Sequence, residues 1–564
     1  MGMPRASAPT RPASGPDENP KLDGKALWVV FLVAATLRIA YLLSIRHAYF
    51  FEHLQTEPLR YQQWATLILE AKPPRPPFDE APGYAYFVAA VFQLCRRSLF
   101  AMAIVQAILD ATTCAAIALL GRRFFGARVG WIAGLLAAGY GPFLYFTGQL
   151  EPATVALFLI VLALAATLAS TARPRWMLAG GVWALALLVR PEVLLALPFA
   201  ALDAARRGGR QGVVRLGLPV VVVLAASVAV NAAASHKLVF LSTTAGLNLW
   251  VGNNPDADGV SPFLHGRLEA DFDRVVAGTP DPVDADAVFR GRALAFLATE
   301  PGAAARLAWK KLVWTFSDRE LPNSADIGWQ TSQSALFHPP LFPLSLGWVL
   351  PFAVAGALLL GREWRRLPLL CAPLAVGVGT SVLFFTNARF RLAMLPSLLL
   401  LAAFGLDGML QAVALGRRAW RPLAAGAFGI LLGLVAAWND FAGVRSYRVP
   451  EISVNTGMLE RESGDLQAAL RDLRQGLEAD AGDTLAWREL ALTFDALGDA
   501  QDSLRAALDG LSQVPGDPTL RRMAATRLSR RGSDLDRLDA YLRAETPEAR
   551  AAIEAELLAR PPSS

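Results

Sequence analysis

The chain is poor in residues that build covalent or metal-held frameworks: three cysteines and five histidines in 564 residues. Cys95, Cys114 and Cys371 lie in or beside apolar segments. They show neither metal-ligand spacing nor a disulfide framework, and so read as buried thiols. His47, His53, His236, His265 and His338 give no pair with metal-ligand spacing on one helix. The start of a calcium loop at Asn254-Pro255-Asp256-Ala257-Asp258-Gly259 fails at its twelfth position, where His265 replaces the bidentate Glu. The net charge of +6 comes without a basic stripe and interleaved aromatics, which argues against a nucleic-acid partner. The apolar run Leu27 to Ile45 is too long for the core of a signal peptide and lacks a small-residue cleavage site. Internal duplication of the kind found in many transporters is also lacking.

What the chain has instead is apolar length. Residues are 54% hydrophobic with mean hydropathy +0.36, and apolar stretches near the roughly twenty residues of a bilayer-spanning helix recur. Five arginine clusters lie between them: Arg122-Arg123 with Arg128, Arg173 with Arg175, Arg206-Arg207 with Arg210, Arg362 with Arg365-Arg366, and Arg417-Arg418 with Arg421. Short cytoplasmic loops collect such residues, so the clusters set the direction of each span. Residues 1–26 are expected to form a disordered cytoplasmic tail. Spans are expected at Leu27–Ile45, Leu99–Leu120, Val129–Phe146, Pro152–Ser170, the hairpin Trp176–Val189 and Val193–Ala204, Val213–Ala234, Leu341–Leu360, Leu367–Phe385, Leu392–Leu410 and Leu423–Trp438. That makes about eleven, with external loops at 46–98 and 235–340. In the first loop, Pro58 to Ala71 has Tyr61, Trp64, Ala65 and Ile68 on one helical face, which suits a helix at the membrane surface. Ala81 to Leu94 is short for a span and reads as re-entrant or interfacial. In the second loop, Ala303 to Phe316 sets Arg306, Lys310 and Lys311 against Leu307, Leu312 and Trp314. Arg38, inside the first span, is a candidate for function by its position, with pairing to another helix as the alternative.

The charged tail beyond residue 450 differs in kind. Gly464, Gly498 and Gly532 are 34 residues apart, and Gly457, Ala491 and Ala525 repeat that interval. The middle unit, with Trp487, Leu490, Ala491, Phe494, Gly498, Ala507 and Pro515, resembles the tetratricopeptide repeat.

Four polar elements fall on the expected outer face: Thr56-Glu57-Pro58-Leu59-Arg60-Tyr61, Phe78-Asp79-Glu80-Ala81-Pro82-Gly83-Tyr84, Gly148-Gln149-Leu150-Glu151-Pro152, and Asn387-Ala388-Arg389-Phe390-Arg391. Carboxylates against apolar walls lose hydration and gain basicity, whereas a nearby arginine opposes this and can hold an anion. A base with an anion clamp suits transfer of a group away from a phosphate.

The order of these motifs, with Gly121-Arg-Arg-Phe-Phe-Gly126, Arg190-Pro191 and Gly252-Asn253-Asn254-Pro255 between them, resembles the GT-C fold glycosyltransferases. That clan includes protein O-mannosyltransferases and lipid A aminoarabinose transferases, and the resemblance covers about residues 27–440. It implies an all-α polytopic bundle, followed here by an α-solenoid of repeats over 450–564. It also implies a polyprenyl-phosphate-sugar donor and work on the periplasmic face of the inner membrane. By resemblance Glu57 takes the position of the catalytic base, more commonly Asp. Glu80, Glu151 and Tyr61 are candidates for donor, acceptor or metal binding, and Arg60, Arg389 and Arg391 for the lipid phosphate. A divalent metal is used by some of the clan. The rival expectations are a transporter or polymerase of lipid-linked sugars, and a membrane scaffold whose repeats engage a protein partner.

Overall fold

The computed structural model describes residues 24–170, 173–260, 264, 267–322, 325–339, 342–444, 447, 449–528, 532–544 and 546–559. His265 and the expected N-terminal tail up to residue 23 lie outside them. Among the described residues the regular elements are helical, apart from one isolated bridge between Tyr140 and Leu344. The chain divides into two compact units. One takes in Met1–Pro262, Gly278–Leu321 and Thr331–Arg445; the other takes in Phe263–Ala277, Pro322–Gln330 and Ser446–Ser564.

Among the described residues of the first unit, six helical stretches are long and apolar enough to cross a membrane: Gly24–Ile45, Leu99–Phe125, Pro191–Ser235, Leu346–Arg366, Ala388–Leu415 and Trp420–Trp438. Shorter apolar helices include Gly83–Leu94, Ala127–Ala138, Ala153–Ala169 and Pro368–Leu383. The expected span Val129–Phe146 is broken in two, Ala127–Ala138 and Gly141–Thr147. Broken helices in apolar surroundings need partners for their end carbonyls, and these are present. Gly141 N donates to Leu344 O and Leu344 N to Gly139 O, each at 2.8 Å. Arg38 Nη1 donates to Ala138 O at 2.6 Å, and its Nη2 to Ala137 O at 3.3 Å. The same guanidinium is neutralised by Asp110, with Nε to Oδ2 at 2.6 Å. The charge in the first span is therefore a helix cap.

The Trp176–Ala204 hairpin takes a tighter path. Helix Arg173–Val189 turns through the 3-10 segment Pro191–Ala196 into Leu197–Ser235, which breaks at Gly209. There φ is +59°, in the left-handed region that glycine enters without strain. Arg207, from one of the basic clusters, caps a third helix: it donates to Thr167 O at 2.6 Å and Leu168 O at 2.9 Å, at the end of Ala153–Ala169.

In the second unit, helices Pro450–Ser463, Leu466–Ala479, Thr484–Ala496, Ala500–Gln513, Pro518–Leu528, Gly532–Arg543 and Pro547–Leu558 follow one another. Gly464 (φ +93°) and Gly498 (φ +80°) end the first helices of successive pairs. Asp465 and Asp499 then cap the second helices, accepting from Ala468 N and Asp502 N. Gly532 stands instead at the head of a helix. Gly457 admits Leu473, whose Cγ would lie 2.8 Å from an added Cβ. Leu473, Leu490, Ala491 and Phe494 share one core cluster.

Candidate active site

Helix Thr56–Leu69 carries the first group. Thr56 has φ +49°, a costly conformation for a β-branched residue, and it turns the chain into the helix one residue before Glu57. Glu57, Arg60 and Tyr61 are three and four residues apart and so share a face. Tyr61 and Ala65, on the same helix, are buried against Tyr84, Val88 and Phe92 of helix Gly83–Leu94. The Tyr61 and Tyr84 rings meet edge to face at 4.8 Å. Gly83 lets that second helix approach the chain: an added Cβ would lie 2.5 Å from Leu188 O.

The turn from 73 to 82 then delivers Glu80 to this face. Arg60 forms an ion pair with Glu80, and Tyr61 Oη donates to Glu80 Oε2 at 2.7 Å. Asp79 Oδ2 stands 3.9 Å from Arg60.

Glu151 arrives by a chain of buried amides. Tyr84 Oη donates to Gln106 Oε1 at 2.9 Å, and Gln106 Nε2 donates to Gln149 O at 2.8 Å and Thr147 O at 3.2 Å. Gln106, on helix Leu99–Phe125, thereby fixes the turn holding Gln149 and Glu151, both of them buried.

Asn387-Ala388-Arg389-Phe390-Arg391 completes the site. Asn387 Oδ1 accepts from Phe390 N at 2.9 Å and starts the one-turn helix Ala388–Arg391. Arg391 anchors it, donating to Ser317 O and Arg319 O at 2.6 Å each, with Glu320 at 3.7 Å. Arg389 is presented to the carboxylates. It forms an ion pair with Glu57, and its Nη1 is 3.9 Å from Glu151 Oε2. Arg190 lies 5.0 Å over the Phe390 ring and pairs with Glu192 at 2.5 Å. Arg190, Arg389 and Phe390 line a small cleft with Ala156, Leu157, Ile160 and Val376.

Burial pushes the Glu57 carboxyl up, but Arg389, with charge and hydrogen bond, overrides it, helped by Arg190 and Arg60. Glu57 is held below the ordinary carboxylate value and is ionised at neutral pH. Glu80 moves the other way: burial and the Glu57 charge raise it, against Arg60 and the Tyr61 hydrogen bond. Two neighbouring carboxyls are thus driven apart, the pattern expected where one is a base and the other is not. Among the described residues no three His, Cys, Asp or Glu side chains are grouped to hold a metal ion. Glu57 and Glu80 hold guanidinium groups instead, so the residues present do not fit a metal centre.

Six of the seven candidates therefore gather in two neighbouring sets, Arg60, Tyr61 and Glu80 in one and Glu57, Glu151 and Arg389 in the other, coupled through the Glu57 charge, which acts on both Arg60 and Glu80. Arg391 is engaged with backbone carbonyls and Glu320 and supports the turn that carries Arg389. Sequence reasoning passed over Arg190 and Gln106 as site residues. Arg190 was visible only as half of an Arg-Pro turn, and Gln106 was one amide in an apolar helix. Lys311 corrects an expectation outright: placed on the polar face of its helix, it is 1% exposed.

Residues 79–234 match the family described as dolichyl-phosphate-mannose-protein mannosyltransferase. That segment contains Glu80, Gln106, Glu151 and Arg190. No curated protein matches the chain by sequence. Among solved structures, the chain is similar to ArnT from Cupriavidus metallidurans bound to undecaprenyl phosphate: 16% identity, 85% of this chain, 79% of that one, TM-score 0.39. It is also similar to the oligosaccharyltransferase AglB from Archaeoglobus fulgidus in complex with an inhibitory peptide and a dolichol-phosphate. There the identity is 17% over 78% of this chain, with TM-score 0.37, and the chain spans 57% of the archaeal protein's length.

Proposed function

We propose that the protein is a membrane glycosyltransferase that moves a sugar from a polyprenyl-phosphate donor to an acceptor hydroxyl. The observation that carries this is Arg389, set between Glu57 and Glu151 and beside Arg190 at an apolar cleft. The family match over 79–234 supports the same class of donor. The lipid phosphate binds Arg389 and Arg190, as planar guanidinium groups favour, and the first prenyl units lie in the cleft. When the phosphate takes up part of Arg389, Glu57 loses its strongest partner, and burial then raises its basicity. The acceptor oxygen attacks the anomeric carbon as the bond from that carbon to the phosphate oxygen breaks. The acceptor proton passes to Glu57, and polyprenyl phosphate leaves with its charge on the arginines. Glu80, kept in place by Arg60 and Tyr61, is suited to hydrogen-bonding the sugar.

The arginine clusters support a site on the periplasmic face of the inner membrane and a path of about eleven spans. We read the second unit as tetratricopeptide repeats. Its cavity of about 430 Å³, lined by Arg474, Trp487, Leu490, Phe494 and Arg505, suits a protein or acceptor segment.

The test is binding of undecaprenyl phosphate to purified protein, together with transfer from polyprenyl-phosphate-mannose. Arg389→Met should weaken binding, and Glu57→Gln should leave binding intact while stopping transfer. Binding without transfer to any acceptor, unchanged by Glu57→Gln, would favour a lipid-linked sugar transporter. Absence of binding would favour a scaffold.

A further inference from the structure

Lys311 belongs to no part of that chemistry, yet it is a buried cation. It lies on helix Pro301–Thr315 and is 1% exposed. Its two hydrogen-bond partners are neutral: Nζ donates to Asn253 Oδ1 at 3.0 Å and to Val382 O at 3.2 Å. A buried ammonium held by neutral oxygens is disfavoured relative to an apolar residue of similar length, because its lost hydration is not repaid by an ion pair. Stability alone would favour methionine there.

What the ammonium holds is the end of helix Pro368–Leu383. Val382 O is one of its last carbonyls, where the helix presents partial negative charge. Asn253 Nδ2 takes the next one, Leu383 O, at 2.7 Å. Gly252 permits this approach, since an added Cβ would lie 1.8 Å from Phe384 O. The chain leaving that helix is then fastened to the same two segments. Thr386 N donates to Gly259 O at 2.9 Å, and Thr386 Oγ1 donates to Lys311 O at 3.2 Å. Three residues later stands Arg389.

We propose that Lys311 is a positioning residue: by clamping Asn253 to the end of helix Pro368–Leu383 it fixes where Arg389 stands, and so sets the affinity for the donor phosphate. The inference rests on the reading that Arg389 binds that phosphate. It also makes the clamp sensitive to pH. Burial pushes the Lys311 ammonium down to about 7, and Asp258 is the charged group that acts against this. Above that pH the group becomes neutral and loses its attraction to the helix end.

The experiment measures undecaprenyl phosphate binding to the full-length purified protein at pH 6 and pH 8.5, for the wild type, Lys311→Arg, Lys311→Met and Arg389→Met. Melting of each variant is followed alongside. Phosphate ionisation affects every variant alike, so the comparison is made at each pH. The wild type should match Lys311→Arg at pH 6 and bind more weakly than it at pH 8.5. The expected difference is on the order of 3- to 30-fold, the size of a charge effect at a partly buried helix end. Lys311→Met should bind weakly at both pH values. If neither Lys311 variant folds, the wild type is compared with Asn253→Ala, which frees the clamp from one side and should bind weakly at both pH values; binding like the wild type would overturn the inference. Lys311 variants that fold and bind like the wild type at both pH values, with Arg389→Met defective, would overturn the inference alone. Full binding by Arg389→Met would overturn the reading beneath it.

Discussion

Two arginine–carboxylate pairs in the first unit, Arg38–Asp110 fully buried and Arg389–Glu57 largely so, look alike on paper and differ in what surrounds them. Arg38 pairs with Asp110, and its remaining donors go to Ala34 O, Ala137 O, Ala138 O and Cys114 Sγ. That guanidinium is spent on backbone, and the pair reads as a structural cap. Arg389 pairs with Glu57 and approaches Glu151, and among the described residues its Nε is buried without a hydrogen-bond partner. It stands among groups that could exchange it for a ligand. Burial and pairing alone therefore do not mark a functional charge. What distinguishes Arg389 is unused hydrogen-bonding capacity beside a second carboxylate and a cleft.

The strongest way to break this comparison is Glu57→Gln, which keeps size and removes the base. Transfer should fall by about 10²–10⁴-fold, out of proportion to the small drop in melting that loss of the Arg389 ion pair brings. A matching loss of stability would make Glu57 a second structural pair. Asp110→Asn should do the opposite. It leaves Arg38 buried without its counter-charge, a change that typically costs about 3–5 kcal/mol. Melting and membrane yield should drop, and the protein that survives should keep the wild-type pH profile. Replacing both partners by apolar residues should recover part of that loss.

A pH profile sharpens the contrast further. Because Arg389 holds Glu57 below the ordinary carboxylate value, Glu57 stays ionised as pH falls through the usual carboxylate range. The kcat/KM for transfer, which follows the protein before the donor binds, should therefore decline only at still lower pH. The same depressed value contributes stability above the unfolded pKa, which is lost as pH falls through the folded one. In Arg389→Met the acid limb should move upward in pH, which rate measurements on a labelled donor would show. An unmoved limb would detach Glu57 from the rate.

The smallest effect expected is on function itself, in a map of topology. Lys72→Cys and Gly482→Cys, in a background without Cys95, Cys114 and Cys371, should react with an impermeant thiol reagent from the periplasm. Arg210→Cys should not, since the charge rule puts its cluster on the cytoplasmic side. Labelling of Arg210→Cys from outside would reverse the site as well as the loops.

Much of the site was legible. The pairing of Glu57 with Tyr61 at helical spacing, the acidic turn at Glu80 and the Arg389-Phe390-Arg391 run are local patterns, and local patterns survive in sequence. The division of roles between Arg389 and Arg391 did not. Two arginines on one short helical turn look equivalent until it is known which of them meets the 317–319 carbonyls. The repeat interval was legible too, because Gly464 and Gly498 must adopt left-handed φ wherever a helix pair turns. That 263–277 and 322–330 join the second unit was not. Removing 450–564 would strip those segments of their unit, so truncation is a poor test of the repeats.

The helical class and the set of polar elements follow from the chain alone. Hydropathy, charge asymmetry and helical spacing act over a few residues and need no partner. Only the tertiary structure decided that Arg38 is a cap, that Lys311 is buried, and that Arg190 and Gln106 belong beside the carboxylates. Each of those outcomes depends on which backbone carbonyl or amide from a distant segment meets a side chain. Such pairings, 58 to 100 residues apart for Lys311 with Asn253 and Arg38 with Ala138, are fixed by packing and leave no periodic trace in the chain.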